Sequence, residues 1–439
     1  MHSAADSELA QRRVAAALQS QGFVPGDRLV LAVPGSATYV DVVLAASRCG
    51  VVPVPLDPRL TPYERDTIIT DVEPRLIIDS TDLLANLASG LDESEPTSRW
   101  PQCRPMHFTS GTTGRPKGVW SGLLSTDEAE ELQREERELW GFRADDLNLV
   151  VSPVYHSAPL RFAMGTLLAG GSIHVLPRFD APEFAQAIHE TRPTTAFVVP
   201  AHLQRLFAHL DETGTSLDSS SFRLLAHAGA PCPEPVRRRA HQQFGLDVVW
   251  EFYGATEGQF TACSAAEWVA HPGTVGRARP GRTITVDADD QIWCAVPPWG
   301  RFEYWRDPER TARAWKPTSD GPAFSVRDLG RMDEDGFVYL DARREDLIIS
   351  GGVNVYPAEV EAALEELPGV VEIAVFGRSD EEWGQRVCAA YVGDVDEADL
   401  RALAVERLAP PKRPKTYQKV SVLPRTPTGK VRRREIAGE

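Results

Sequence analysis

Residues 8 to about 252 alternate short apolar runs with segments of helical period, and this alternation constrains the fold more than any other feature. The runs 28–33, 149–154, 172–176, 195–199 and 248–252 are bounded by Gly, Pro or polar turns. Helix-period segments such as 39–47, 183–190 and 203–210 lie between them. Strands buried on both faces read as continuous apolar runs, so the rhythm predicts an α/β architecture of parallel sheets flanked by helices. In such sheets ligands sit where loops leave the carboxyl ends of the strands, which is where chemistry is expected here.

After Gly273 the pattern shifts to shorter β-like segments, 283–286 and 291–296, joined by Gly/Pro turns. A third region reads as a strand at 347–350, a helix at 357–367, strands at 371–376 and 387–392, a helix at 398–407 and a last strand at 420–423. The expected organisation is a large domain over 1–344, with a β-rich part, and a small mobile α+β domain over 345–439. The acidic-to-basic run 127–137 reads as a solvated helix face.

Charge narrows the partners. Against 47 Lys and Arg stand 63 Asp and Glu, a net charge of −16, which argues against broad nucleic-acid or anionic-membrane surfaces. No stretch approaches the ~20 apolar residues that span a bilayer. The six cysteines are scattered without metal-ligand spacing, so a reduced, cytoplasmic setting is expected. Only six lysines occur, Lys117, Lys316, Lys412, Lys415, Lys419 and Lys430, so a lysine in a loop is conspicuous.

One such loop is Thr109-Ser110-Gly111-Thr112-Thr113-Gly114-Arg115-Pro116-Lys117-Gly118. Its glycines allow close backbone approach, while four hydroxyls and a lysine supply donors for a polyphosphate. It is not the P-loop of kinases and GTPases, since Pro116 and Gly118 stand where that motif needs Gly and Ser or Thr.

The segment resembles the phosphate-binding signature of the adenylate-forming superfamily, which includes acyl-CoA synthetases, peptide-synthetase adenylation domains and luciferases. Four later segments agree in order. Phe252-Tyr253-Gly254-Ala255-Thr256-Glu257-Gly258 is similar to the nucleotide and magnesium motif, and Arg327-Asp328-Leu329-Gly330 to the ribose motif. Residues 346–359 resemble the hinge-proximal loop, and Pro424-Arg425-Thr426-Pro427-Thr428-Gly429-Lys430 the loop of the catalytic lysine. The resemblance runs from about residue 8 to 436.

The resemblance implies ATP, magnesium and a thiol acceptor, coenzyme A or a carrier-protein phosphopantetheine. It gives Glu257 to magnesium, Thr256 to the α-phosphate, Tyr253 and Gly254 to adenine with Gly229, Ala230 and Pro231 opposite, Asp328 to the ribose, and Arg343 to ribose or phosphate. Lys430 would bring an ammonium between carboxylate and α-phosphate. Ser350, Gly351 and Gly352 would line a pantetheine tunnel, and Glu345 would stand at the hinge. Many relatives carry Thr-Gly before the ribose aspartate where this chain has Val326-Arg327, which bears on the local backbone.

The segment Pro153-Val154-Tyr155-His156-Ser157-Ala158-Pro159 resembles the acyl-pocket gate of acyl- and aryl-CoA synthetases, with His156 either orienting the carboxylate or closing the pocket before the thiol enters. No acidic residue lies between Tyr155 and Arg178, which disfavours α-amino acids, and Arg161, His227 and Cys232 point to a polar pocket for a small or aromatic acid. Further acceptors in this reading are a carrier protein, or an aryl amine with nitrite in a diazotase-like enzyme; the chain is expected as a monomer or homodimer. Relative to the superfamily the region before Thr109 is short, with trimming in the first strand-helix region and between Asp79 and Met106.

Overall fold

The computed structural model describes residues 1–109, 116–342, 347–424 and 431–438. These fall into two compact units, one of residues 1–58, 74–107 and 118–341 and one of 59–73, 108–117 and 342–439.

The larger unit is organised by an eight-stranded sheet in the order His2–Ser3, Ser172–Val175, Leu147–Val150, Thr195–Val198, Leu224–His227, Val249–Glu251, Thr261–Ser264, Arg277–Ala278. The five central strands are parallel, and the strands at both edges run antiparallel. Thr195–Val198 and Leu224–His227 are buried at every position, in keeping with their mostly apolar sequences, Thr-Ala-Phe-Val and Leu-Leu-Ala-His. Helices Ser157–Leu168, Ala181–Thr191, Pro200–Thr213 and Glu234–Phe244 make the crossovers. Pro200–Thr213 shows how the sequence sets the limits: Pro200 enters at the first turn, and Gly214 closes the end at φ 64°. The strand expected at 149–154 lies at Leu147–Val150, because buried Asn148, which donates to Thr195 Oγ1 (2.9 Å), hides its start.

A second parallel sheet orders Val52–Pro55, Arg28–Leu31 and Leu76–Ile78. The β-rich part is an antiparallel sheet of Thr283–Val286, Ile292–Ala295, Gly321–Phe324 and Trp315–Thr318. Just beyond it, Arg327 takes φ 67°, in the left-handed region, at the position where many superfamily members carry glycine. A side chain there costs roughly 1–2 kcal/mol, part of which glycine would return as unfolded-state entropy. Arg327→Gly is therefore expected to raise stability by a net ~0.5–1 kcal/mol, read from the denaturation midpoint. A lowered midpoint would show that the arginine side chain itself holds the turn.

In the smaller unit, strands Val370–Asp380 and Gly384–Gly393 form a long antiparallel hairpin. Helices Pro357–Glu365 and Glu397–Arg407 pack Val360, Leu364 and Leu400 onto Val375 and Val387. The hairpin Ile348–Ser350/Val353–Val355 turns through Gly351 and Gly352, at φ 58° and 81°. The strand expected at 420–423 lies instead at Thr416–Lys419, parallel to Gly384–Gly393. Its Thr-Tyr-Gln-Lys sequence is only partly buried and so lacks an apolar run, while the apolar residue beyond it, Leu423, packs into a separate cluster with Phe376.

Candidate active site

Two loops leave neighbouring parallel strands at the same end. His227 pairs with Glu251, and beyond them the chain runs into 228–233 on one strand and 252–258 on the other. The second loop is a tight turn in which Ala255 N–H donates to the Gly258 carbonyl (2.9 Å) and Gly258 N–H to the Ala255 carbonyl (3.2 Å). Gly254 bridges Gln259, and a Cβ at Gly254 would lie 2.8 Å from both Gln259 Cα and the Gly258 carbonyl oxygen. Glycine is thus required for the turn that presents Thr256 and Glu257.

Glu257 is 3% exposed, and the Tyr304 hydroxyl donates to its Oε1 at 2.7 Å. Tyr304 belongs to the short strand Glu303–Tyr304 and pairs with Val119. Arg104 Nη1 donates to the Glu257 carbonyl at 3.3 Å. Tyr253 packs on Phe260 with ring centroids 4.9 Å apart, and its hydroxyl donates to Asp328 Oδ2 at 2.7 Å. The structure therefore brings Tyr253 and Asp328 together, although 75 residues separate them. Sequence reasoning missed Tyr304 and Arg104, which carry no local motif.

Beside this turn lies a cavity of about 150 Å³. Thr256 and Gly258 form part of its wall; Arg104 and His107 come from the segment before Phe108, Arg161 from helix Ser157–Leu168, and Glu136 from helix Thr126–Trp140. The expected solvated face of that last helix is corrected here: its N-terminal half is polar and largely exposed, but Glu135 and Glu136 are buried. The pattern of charges along the helix does not distinguish a carboxylate facing water from one facing buried arginines.

His107 Nδ1 lies 3.1 Å from the Tyr155 carbonyl, which can only accept, so Nδ1 carries the proton. Burial, then the His156 ring nearby, pushes His107 down to about 3, and it is neutral at physiological pH. His156 precedes helix Ser157–Leu168 with its ring 4.8 Å from that of Tyr155; its neighbour Ser157, not His156, is among the cavity residues. Nor is His227, which sits inside the sheet with Nδ1 3.9 Å from Glu251, a carboxylate already engaged by Arg237. Burial lowers His227 to about 4 against the pull of Glu251. Cys232 is also buried, its thiol pushed up to about 12 by burial.

Gly229, at φ 89°, Ala230 and Pro231 follow strand Leu224–His227. Lys117 begins strand Lys117–Trp120, and Thr109 ends Phe108–Thr109. Ser110, Gly111, Thr112, Thr113 and Gly114 lie outside the described residues, as do Arg343, Glu345 and Lys430.

The chain belongs to the AMP-binding enzyme family, whose model matches residues 3–298, and the model of the AMP-binding enzyme C-terminal domain matches residues 359–430. It is 31% identical to the indoleacetate–CoA ligase of Aromatoleum aromaticum, across 97% of this chain and 90% of that protein. It is also 31% identical to the fatty acid–[acyl-carrier-protein] ligase ScoC of Streptomyces coeruleorubidus, across 97% and 89%. Among solved structures, the amide bond synthetase McbA from Marinactinospora thermotolerans superposes with a TM-score of 0.84 at 26% identity, over 99% of this chain and 94% of that one. No described helix is long and apolar enough to cross a membrane.

Proposed function

We propose that the chain is an ATP-dependent ligase that activates a small or aromatic carboxylic acid as acyl-AMP, releases pyrophosphate, and passes the acyl group to the thiol of coenzyme A. The observation that carries this reading is the Tyr253–Asp328 hydrogen bond, which joins the nucleotide and ribose motifs beside a cavity that Thr256 helps to line.

In the first step a carboxylate oxygen attacks the α-phosphorus and pyrophosphate departs. Both reactants are anionic, so the site must stabilise charge that grows at the α-phosphate oxygens. Thr256 would donate its hydroxyl to one of them. Asp328, oriented by Tyr253, would accept from the ribose hydroxyls, and Gly229 to Pro231 would flank the base. Lys430 and the hydroxyl-rich loop 110–114 would supply the remaining donors.

Among the described residues no group of three acidic, His or Cys side chains is placed to hold a metal. A single carboxylate suits magnesium, which keeps waters and takes substrate phosphates as its other ligands. Glu257, fixed by Tyr304, fits that role, and the ion would neutralise phosphate charge when bound. In the second step the thiol attacks the acyl carbon and AMP leaves, with Gly352 in the loop that would admit the pantetheine arm. The proposed boundary between the ATP- and acid-binding part and the lid part is 344/345.

A carrier-protein thiol is the second reading, favoured by the likeness to a relative named as an acyl-carrier-protein ligase. Mass spectrometry of ATP-dependent products across a panel of acids, with and without coenzyme A, separates the outcomes. The expected products are AMP, pyrophosphate and an acyl-coenzyme A. Product formed only on a phosphopantetheinylated carrier supports the second reading, and AMP release that needs nitrite and an aminobenzoate supports diazotase-like chemistry. AMP release independent of every acid and of nitrite overturns adenylation.

A further inference from the structure

The cavity is walled by more positive charge than its carboxylates match. Arg104, Arg161, Arg279 and Arg282 all line it together with Glu136, and Glu135, outside the lining, pairs with Arg282 and Arg279. Arg282 is taken by Glu135 in a bidentate pair, at 2.9 and 3.1 Å. That approach depends on Gly281, where a Cβ would stand 2.7 Å from Glu135 Oε1. Arg279 donates through Nη1 to Glu136 (2.8 Å) and Gln259 (3.3 Å) and brings Nη2 to 3.6 Å from Glu135 Oε2, while among the described residues its Nε and Nη2 have no hydrogen-bond partner.

The other two arginines are less satisfied. Among the described residues Arg104 donates only to the uncharged carbonyls of Glu257 and Arg301, and its buried Nε has no hydrogen-bond partner. Among the described residues the Arg161 guanidinium makes no hydrogen bond; it reaches Glu136 Oε2 at 3.5 Å and lies over the Phe252 ring at 5.2 Å. Burial, then the neighbouring arginines, lowers Arg104 to about 10, and burial likewise lowers Arg161. Burial alone would raise Glu136, but Arg161 and Arg279 outweigh it and hold it down at about 2, so it stays charged and cannot donate. Trp299 Nε1, in the same wall, is a further donor with no hydrogen-bond partner among the described residues. Uncompensated buried cations are costly, and a bound anion is the natural complement of such a donor set.

We infer that this cavity takes an acid bearing a second anionic group, a carboxylate or its equivalent, which Arg161 holds with Arg104 and Arg279. The inference rests on the reading of the cavity as the acyl pocket of the ligase proposed above. The carboxylate to be activated would face Thr256, while the second anion meets the arginines.

Calorimetric titration of the full chain with matched probes tests it: terephthalate against 4-carbamoylbenzoate, and succinate against succinamate. Each pair differs in one charge and little in shape. The diacids are expected to bind about 10- to 100-fold more tightly, in keeping with the strength of a buried charge-assisted pair. Arg161→Gln should abolish that preference and Arg161→Lys should restore part of it, while Arg134→Gln on the exposed side of helix Thr126–Trp140 leaves it intact. Melting curves of all variants establish that they fold. Monoamides that bind as tightly as diacids, or a preference that survives Arg161→Gln, overturn the inference. Pyrophosphate release measured on the same probes keeps the two readings apart. Diacid preference without release upholds the anion site and removes the ligase reading, whereas release with the monoamides alone upholds the ligase and removes the anion site.

Discussion

Glu257→Gln is expected to lower acid-dependent pyrophosphate release by about 10²–10³-fold while leaving the melting midpoint nearly unchanged. Glutamine keeps the size of the side chain, and its amide oxygen can still accept from Tyr304, which in the wild-type protein holds Glu257 Oε1 at 2.7 Å. What disappears is the negative charge at the tip of the 255–258 turn. If that charge binds magnesium, the variant needs far more of the ion, and added magnesium recovers part of the rate. Tyr304→Phe leaves the charge but removes the group that orients it, so a smaller loss of about 10- to 100-fold is expected, again relieved by magnesium. Lys430→Ala differs from both: it also collapses release, yet magnesium does not restore it, because the missing group is an ammonium. A Glu257→Gln enzyme with wild-type rates at ordinary magnesium would remove Glu257 from the metal site. Undiminished release in Lys430→Ala would remove the lysine from the adenylation step.

The parallel sheet and the 252–258 turn are legible because their signals are local. Thr195–Val198 is buried at every position and reads as an apolar run, and the Tyr-Gly-x-Thr-Glu turn carries its glycine constraint within five residues. The strand Leu224–His227, which ends in a histidine, is not among the expected runs. The misses share the opposite property. Tyr304 lies 47 residues from the carboxylate it holds, and Arg279 meets Glu136 across 143, so neither spacing has a periodicity to detect. His227 is a different case. It ends a strand beside the expected nucleotide loop, and the alternation that places side chains on opposite faces sets its ring beside Glu251, outside the cavity lining. Arg327 is a third kind of case: the departure from Thr-Gly is visible in the sequence, but only the backbone shows that the arginine there takes the left-handed conformation.

Lys412→Ala is expected to destabilise the smaller unit by about 3–5 kcal/mol, the cost of leaving buried charges without their partner. Lys412 Nζ lies 2.6 Å from Glu359 Oε1 and 2.8 Å from Glu64 Oε1, and all three side chains are largely buried. Glu64 is already engaged at its other oxygen, which accepts from the Thr61 N–H (3.0 Å) at the start of helix Pro62–Val72. The Thr61 hydroxyl donates in turn to the Arg407 carbonyl at 2.9 Å. The lysine thus ties that helix to Pro357–Glu365 within one unit. Burial alone would lower its pKa, but the two carboxylates outweigh burial and raise it above the ordinary lysine value. The sign follows: the contribution is fully present below the unfolded lysine pKa of about 10.5 and fades only as pH climbs through the higher folded value. In Lys412→Ala the two buried carboxylates lose their shared cation, so the deficit should hold across neutral pH and shrink only in strongly alkaline solution, where the wild-type lysine also loses its charge. Lys412→Arg keeps the charge and should recover most of the loss. Thermal unfolding of the three proteins at neutral and alkaline pH decides the matter: a Lys412→Ala deficit under about 1 kcal/mol, or one that grows as pH rises, would mean that the triad does not hold the unit together.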